Sequence, residues 1–303
     1  MEIIDKLLEN GDFDELLRVY ELYKYELLDI IYNAMFERDE NNQIIAISEE
    51  EKAILKSIYT QNATMHNFNA EKVMFISDTH LENENTERLD YFWYILDFCQ
   101  RHQIRYLIHG GDVADGTDYE KKIPIFFSDA KSSDASKQIN NILAKYPKVK
   151  GIKQFILGGN HDWWYLELNN KFDILRKLAD CKDIFPLGFH QAYITICDVP
   201  ISLEHSSEHI ITKNYIPHDL SIQGHSHIWM PNKDKLYIPT LSNFLYHFDK
   251  IDGQAGFVIM QPIQTTDGVI LHFDRYTFIE TNNFLSASKT AEKAYTLTRK
   301  KGM

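Results

Sequence analysis

The chain has 303 residues, enough for one large domain or two modest ones, and its 44% apolar and 25% charged content is that of a globular protein. A formal charge of −12 argues against a general nucleic-acid-binding surface, because phosphate backbones are held by Lys and Arg. Three scattered cysteines without a CxxC build no disulfide framework, and there is no run of about 18 apolar residues, so a reducing, cytoplasmic setting and no membrane partner are expected.

Residues 1–70 hold 15 Asp or Glu against 6 Lys or Arg, a net of −9 that leaves −3 for residues 71–303. That asymmetry sets a boundary near residue 70. The opening stretch, MEIIDKLLENGDFDELL, is acidic and lacks the basic-then-apolar order of a signal peptide. Ile3, Ile4, Leu7 and Leu8, then Leu16, Leu17, Tyr20, Tyr23, Leu27, Leu28 and Ile31, recur at helical spacing. Ser48 with Glu51 forms a capping box before KAILKSIY. The expectation is an acidic helical extension over 1–70, a packing arm through which a homo-oligomer could form.

After residue 70 the chain turns to short apolar runs that end in polar clusters. KVMFISDTH leads into a helical stretch, RLDYFWYILDFCQRH; RYLIHGGDVADG leads to KQINNILAKYP; KQFILGGNHDWW follows. Strands and helices alternating at this spacing imply βαβ units and an α/β fold. From about residue 185 strands dominate: AYITIC, PISLEH, LSIQGHSH, KLYIPT, GFVIMQ and GVILHFDRYTFIE. TTDG at 265–268 is a hairpin turn between the last two. Residues 286–303 are basic and read as a weakly helical, frayed tail.

Each polar cluster sits where an apolar run stops. Asp78 and His80 follow VMFIS; Asp112 follows YLIHGG, with Asp115 three residues on; Asn160 and His161 follow FILGG; His205 follows ISLE; His225 and His227 follow LSIQG. Asn160, His161 and Asp162 alone would read as a turn. Strand carboxyl ends, however, are where open α/β sheets build their sites. Carboxylate, amide and imidazole donors without thiolate suit Mn, Fe or Zn, and their number fits two ions roughly 3.5–4 Å apart.

Taken in order, DTH, GGDVADG, GGNHD, EHSS and GHSH resemble the calcineurin-like metallophosphoesterase superfamily, whose pattern is D-x-H, G-D-x-x-D, G-N-H-D/E, a lone His and G-H-x-H. The likeness runs over residues 73–228, with trailing strands to about 280. It implies a metallophosphoesterase domain over 71–285, between the extension and the tail, and an α/β (α+β) fold. That fold is a four-layer αββα sandwich, two mixed sheets flanked by helices. The resemblance also implies that Asp78, His80 and His227 hold one metal ion, that Asn160, His205 and His225 hold the other, and that Asp112 bridges them. It makes His161 the catalytic histidine beside the metals, which protonates the leaving oxygen or steadies the phosphoryl group, and Asp115 the residue that orients it.

His209 and His218 compete with His205 for the fourth motif, but only His205 ends an alternating run. His109, His190, His247 and His272 read as structural histidines. Trp163, Trp164 and Tyr165 read as core packing, and so do Cys99 and Cys197. The superfamily's protein Ser/Thr phosphatases carry an arginine after the second motif and another before the third (G-D-x-x-D-R-G, R-G-N-H-E), which clamp a phosphomonoester dianion. Those positions are assigned here to Gly116 and Gly159, and Asp162 replaces the Glu. A metal-dependent phosphodiesterase acting on a small molecule or nucleotide is therefore expected. The alternatives are a phosphomonoesterase or protein phosphatase, a nuclease served by Lys121, Lys122, Lys131 and the basic tail, and a non-catalytic scaffold.

Overall fold

The computed structural model describes residues 66–68, 72–116, 135–167, 173–179, 184–205, 218–243, 255–281 and 284–298, all within the unit Ala63–Met303. The helices expected over residues 1–65 lie outside the described residues, as do Lys121, Lys122, Lys131, Cys181, His209 and His247. In chain order the elements are β1 (His66–Phe68), β2 (Val73–Ile76), α1 (Leu89–Arg101), β3 (Tyr106–His109), α2 (Ala135–Lys145), β4 (Lys153–Gly158), α3 (Asn160–Glu167) and α4 (Ile174–Ala179). There follow β5 (Ile184–Phe189), β6 (Gln191–Ile196), β7 (Val199–Glu204), β8 (Ser221–Gln223), β9 (Met230–Pro231), β10 (Lys235–Tyr237), β11 (Gly256–Gln264), β12 (Gly268–Thr281) and β13 (Phe284–Thr298).

These strands form two mixed sheets, the expected α/β sandwich. One has seven strands in the order β13-β12-β11-β2-β3-β4-β5, the other six in the order β1-β6-β7-β8-β10-β9. In the first, β2, β3, β4 and β5 run parallel, and β11, β12 and β13 continue the sheet antiparallel. VMFI of β2 is buried at every position, as a central parallel strand covered on both faces must be. Phe75, Ile108, Phe155, Val258 and Phe273 of this sheet meet Ile194, Ile201, Leu203, Ile222 and Leu236 of the other in one core.

The opposite face of the seven-stranded sheet carries helices. In α1, Tyr91, Phe92, Ile95, Leu96, Phe98 and Cys99 are buried, the stripe that a 3.6-residue period places on one side. Phe98 packs edge-on against Phe257 of β11. Asp90 in the first turn and Arg101 in the last suit the helix dipole. Among the described residues, no helix is long and apolar enough to cross a membrane.

Register carries the site. Ile76 pairs with His109 and His109 with Ile156, so the three parallel strands end at one edge of the sheet. In the second sheet Glu204 pairs with Gln223 in parallel, so His205 and the Gly224–His225 step emerge side by side. Within the second sheet Gly224 N–H continues the pairing to Glu204 O (3.0 Å), and Leu241 N–H to Ser77 O (2.8 Å) ties the segment after β10 to the end of β2 in the first.

Two expectations are corrected. His66–Phe68, assigned to the helical extension, is a strand paired in parallel with β6. Residues 286–298, read as a frayed helical tail, belong to β13, which pairs along its length with β12. Tyr295 and Leu297 of β13 are buried in the core between the sheets, and that burial outweighs the weak local preference. The turn at 265–268 is as expected, with Thr265 N–H bonded to Gly268 O at 3.0 Å.

Candidate metal centre

The ligand loops bend sharply at the strand ends. Asp78 (φ 56°), His80 (42°), Asp112 (53°), His225 (66°) and His227 (59°) all adopt left-handed backbone. Each such residue costs of the order of 1–3 kcal/mol, and this kind of strain concentrates at functional sites. Two glycines make room. A Cβ on Gly159 would lie 2.1 Å from Asp112 Oδ1, and one on Gly111 (φ 110°) would lie 2.2 Å from His205 Nδ1.

Six of the seven expected ligands fall into two groups, Asp78–His80–His227 and Asp112–His205–His225, whose donor atoms lie within 4.8 Å of one another in each. His80 Nε2 and His227 Nε2 are 3.2 Å apart, and His227 Nε2 is 3.2 Å from Asp78 Oδ1. Asp112 Oδ2 lies between the groups, 2.9 Å from His205 Nε2 and 4.0 Å from His80 Nε2. The seventh, Asn160, opens α3 with its amide oxygen buried and, among the described residues, without a hydrogen-bond partner.

This donor set fits metal ions. His80 Nε2 and His227 Nε2 face each other at 3.2 Å with room for at most one proton between them, and a cation there could take a lone pair from each. The acidity of the pocket shows in His205. Burial opposes its charge, yet the carboxylate of Asp112 outweighs burial and lifts the imidazole to about 9. Burial likewise opposes ionisation of Asp78 and Asp112, and their histidine neighbours override it, holding both carboxyls well below the usual range.

Hydrogen bonds behind the ligands fix which nitrogen faces the pocket. His205 Nδ1 donates to Gly110 O at 2.7 Å, so Nε2 points at Asp112. His225 N–H donates to Asp78 Oδ2 at 3.0 Å, and His161 N–H to Asp112 Oδ1 at 2.9 Å. His161 lies beside the centre with Nε2 3.9 Å from Asp112 Oδ2. Burial holds this ring down to about 4, against the pull of the Asp112 charge.

Asp115 touches His161 at its main chain. Its main-chain carbonyl meets His161 Nδ1, and a carboxylate oxygen lies within 4.8 Å of ring nitrogens of both His80 and His161. The carboxylate also accepts from Asn83 Nδ2 at 3.1 Å and lies 3.7 Å from His80 Nδ1.

Three residues close to the centre have roles the sequence did not reveal. Asp162, expected only as a substitute for Glu, accepts backbone N–H groups from Val113 (3.1 Å), Ala114 (3.0 Å) and Gly159 (2.9 Å), bracing the second motif against the third. Burial and the Asp112 charge push it up to about 7 despite those bonds. His109 accepts from Gly111 N–H at 3.2 Å and faces Thr79 Oγ1 at 3.1 Å. Asn83 binds Asp115 at 3.1 Å. Their partners are backbone N–H groups, the Thr79 hydroxyl and the Asp115 carboxylate, and no residue spacing encodes such contacts.

His218, the rival described here, bonds Ser221 Oγ at 3.1 Å and belongs to no ligand group. Trp163 is buried edge-on to Phe189, and Tyr165 is buried with its hydroxyl on Gln138.

A family model for calcineurin-like phosphoesterases matches residues 71–271. The chain belongs to this family. Members of the family bind two metal ions, in keeping with the ligand groups above. No curated protein sequence matches it. Among solved structures, Vps29 of Chaetomium thermophilum is similar at 12% identity over 76% of this chain and 98% of that one (TM-score 0.39). GAP50, described as the anchor in the inner membrane complex of Plasmodium, is similar at 10% identity over 76% and 90% (TM-score 0.39). The calcineurin-like phosphoesterase YfkN of Bacillus subtilis is similar at 9% identity over 74% and 90% (TM-score 0.30).

Setting the calcineurin-like R-G-N-H-E motif against LGGNHD in register corrects one assignment. The second arginine position is Gly158, and Gly159 is the glycine of the motif itself. A Cβ on Gly158 would lie 2.3 Å from the Phe189 ring, and one on Gly116 (φ 65°) would lie 2.2 Å from His161 O. Neither position accepts an arginine without moving its surroundings.

Proposed function

We propose that this chain hydrolyses a phosphodiester, in a small molecule or nucleotide, with two metal ions such as Mn, Fe or Zn. Asp78, His80 and His227 would hold one ion and Asn160, His205 and His225 the other, with Asp112 shared. When bound, such a pair supplies a water acidic enough to attack phosphorus near neutral pH and offsets charge on the phosphoryl oxygens.

The protein supplies the proton for the leaving group. His161 is held at Nδ1 by the Asp115 carbonyl and presents Nε2 to the pocket, 3.9 Å from Asp112. An anionic substrate beside the ring favours its protonated form, and the ring then passes that proton to the departing oxygen. Asp162 and His109 keep the loops carrying Asp112 and Asn160 in place while charge shifts.

One observation carries the preference for a diester. Gly116 and Gly158 stand where a phosphomonoester dianion would need arginines, and Phe189 and the His161 carbonyl fill that space. A diester, with one negative charge, needs that clamp less.

The test is hydrolysis of bis-p-nitrophenyl phosphate beside p-nitrophenyl phosphate with added Mn²⁺. Higher kcat/KM for the diester is expected, with a loss of about 10²–10⁴-fold in kcat for His161→Ala and no turnover for Asp112→Asn. A preference for the monoester would contradict the reading of the glycines. Metal binding with no turnover of either ester would favour a scaffold.

A further inference from the structure

Asp115 supports two residues of the centre at once. Its carbonyl meets His161 Nδ1, and its carboxylate Oδ1 lies 3.7 Å from His80 Nδ1, on the side of the ring away from the ligand group. A carboxylate behind a ligating imidazole fixes the ring and raises its basicity. This one is fully buried, and its Oδ2 makes no hydrogen bond among the described residues. What holds its plane is Asn83, itself 1% exposed, whose Nδ2 donates to Oδ1 at 3.1 Å.

The amide of Asn83 is in turn fixed at its other end. Its Oδ1 accepts the N–H groups of Asn85 (2.9 Å) and Thr86 (3.0 Å), an Asx turn, and its own N–H donates to His80 O at 3.3 Å. The neighbouring Glu82, in left-handed backbone (φ 74°), is anchored on α2 by Lys145 Nζ at 2.6 Å and Asn141 Nδ2 at 3.0 Å. Lys145 reaches Glu87 at 2.5 Å as well, and Glu87 accepts the Glu82 N–H at 2.6 Å. The loop is tied down on both sides of Asn83, so its amide has one orientation.

We propose that Asn83 is a positioning residue of the metal centre, setting the His80 ring through the Asp115 carboxylate and thereby the affinity of the position formed by Asp78, His80 and His227. The inference rests on the metal-binding reading of the site. It concerns affinity, so it is tested by binding and not by turnover alone.

The full chain, stripped with chelator, is titrated with MnCl₂ by calorimetry and followed by electron paramagnetic resonance. Asn83→Ser keeps a short acceptor for the turn but does not reach Asp115. Asn83→Asp keeps the turn acceptor and loses the donor. Wild type is expected to bind two Mn²⁺, and each variant to bind one of the two about 10–100-fold more weakly, losing the spin-coupled signal of the pair at subsaturating metal. In an Asp115→Ala background, Asn83→Ser is expected to add nothing further.

A folded variant that binds both ions with wild-type affinity would overturn the proposal, as would additive losses in the double variant. Loss of near-ultraviolet circular dichroism in both single variants would also overturn it, because Asn83 would then support the fold and not His80. Wild type that binds no Mn²⁺ would sink the metal reading itself, an outcome distinct from these.

Discussion

His109 sits in a chain of hydrogen bonds whose direction is forced. Gly111 N–H can only donate, so Nδ1 accepts; Nε2–H then donates to Thr79 Oγ1, and the Thr79 hydroxyl donates to Val113 O at 2.8 Å. A proton on Nδ1 would break the first link, and burial pushes the ring down to about 3 from 6.5. The folded value lies below the unfolded one, so this contribution to stability is complete above pH 6.5 and is lost as pH falls toward 3. Between pH 6.5 and 5 the loss is about 2 kcal/mol. Urea unfolding of wild type and His109→Gln at both pH values is expected to show that extra loss in wild type alone; parallel behaviour would contradict it. At this scale the sequence singled out the residues that the fold gathers into the two candidate groups, because each follows an apolar run. It did not identify Asp162 or Asn83, whose partners are main-chain N–H groups and a carboxylate brought close only by the fold.

The edge strand β13 shows where element-scale reading fails. FLSASKTAEKAYTLT is rich in Ser, Ala, Lys and Glu, and only Tyr295 and Leu297 reach the core. Nothing local marks a strand. The decision is made by β12, which offers its full edge, and by cross-strand contacts such as Thr277 Oγ1 with Thr290 Oγ1 at 2.8 Å and Lys289 with Asp274 at 2.8 Å. Deleting residues 282–303 would therefore remove two buried side chains, each worth about 1.5–3 kcal/mol, and leave β12 as an exposed edge. The expected result is a clear fall in melting temperature or loss of the folded protein to aggregation. A truncated chain that melts with wild type would show that the strand contributes little. By contrast β2, β3, β4 and α1 were legible, since buried parallel strands read as apolar runs and α1 repeats its apolar residues at helical spacing.

Across the whole molecule, two sheets with different strand directions deliver their ends to one place. Parallel register in the first brings the loops bearing Asp78 and His80, Asp112, and Asn160 and His161 together. Parallel pairing of β7 with β8 brings His205 beside His225 and His227. The order of motifs was readable in the sequence, but the register that joins them is a property of strand pairing. The most direct measurement is anomalous diffraction at the manganese edge from a crystal soaked in Mn²⁺. Two peaks roughly 3.5–4 Å apart are expected, one against Asp78, His80 and His227 and the other against Asn160, His205 and His225, with Asp112 between them. A single peak, or none among these residues, would contradict a two-metal phosphoesterase.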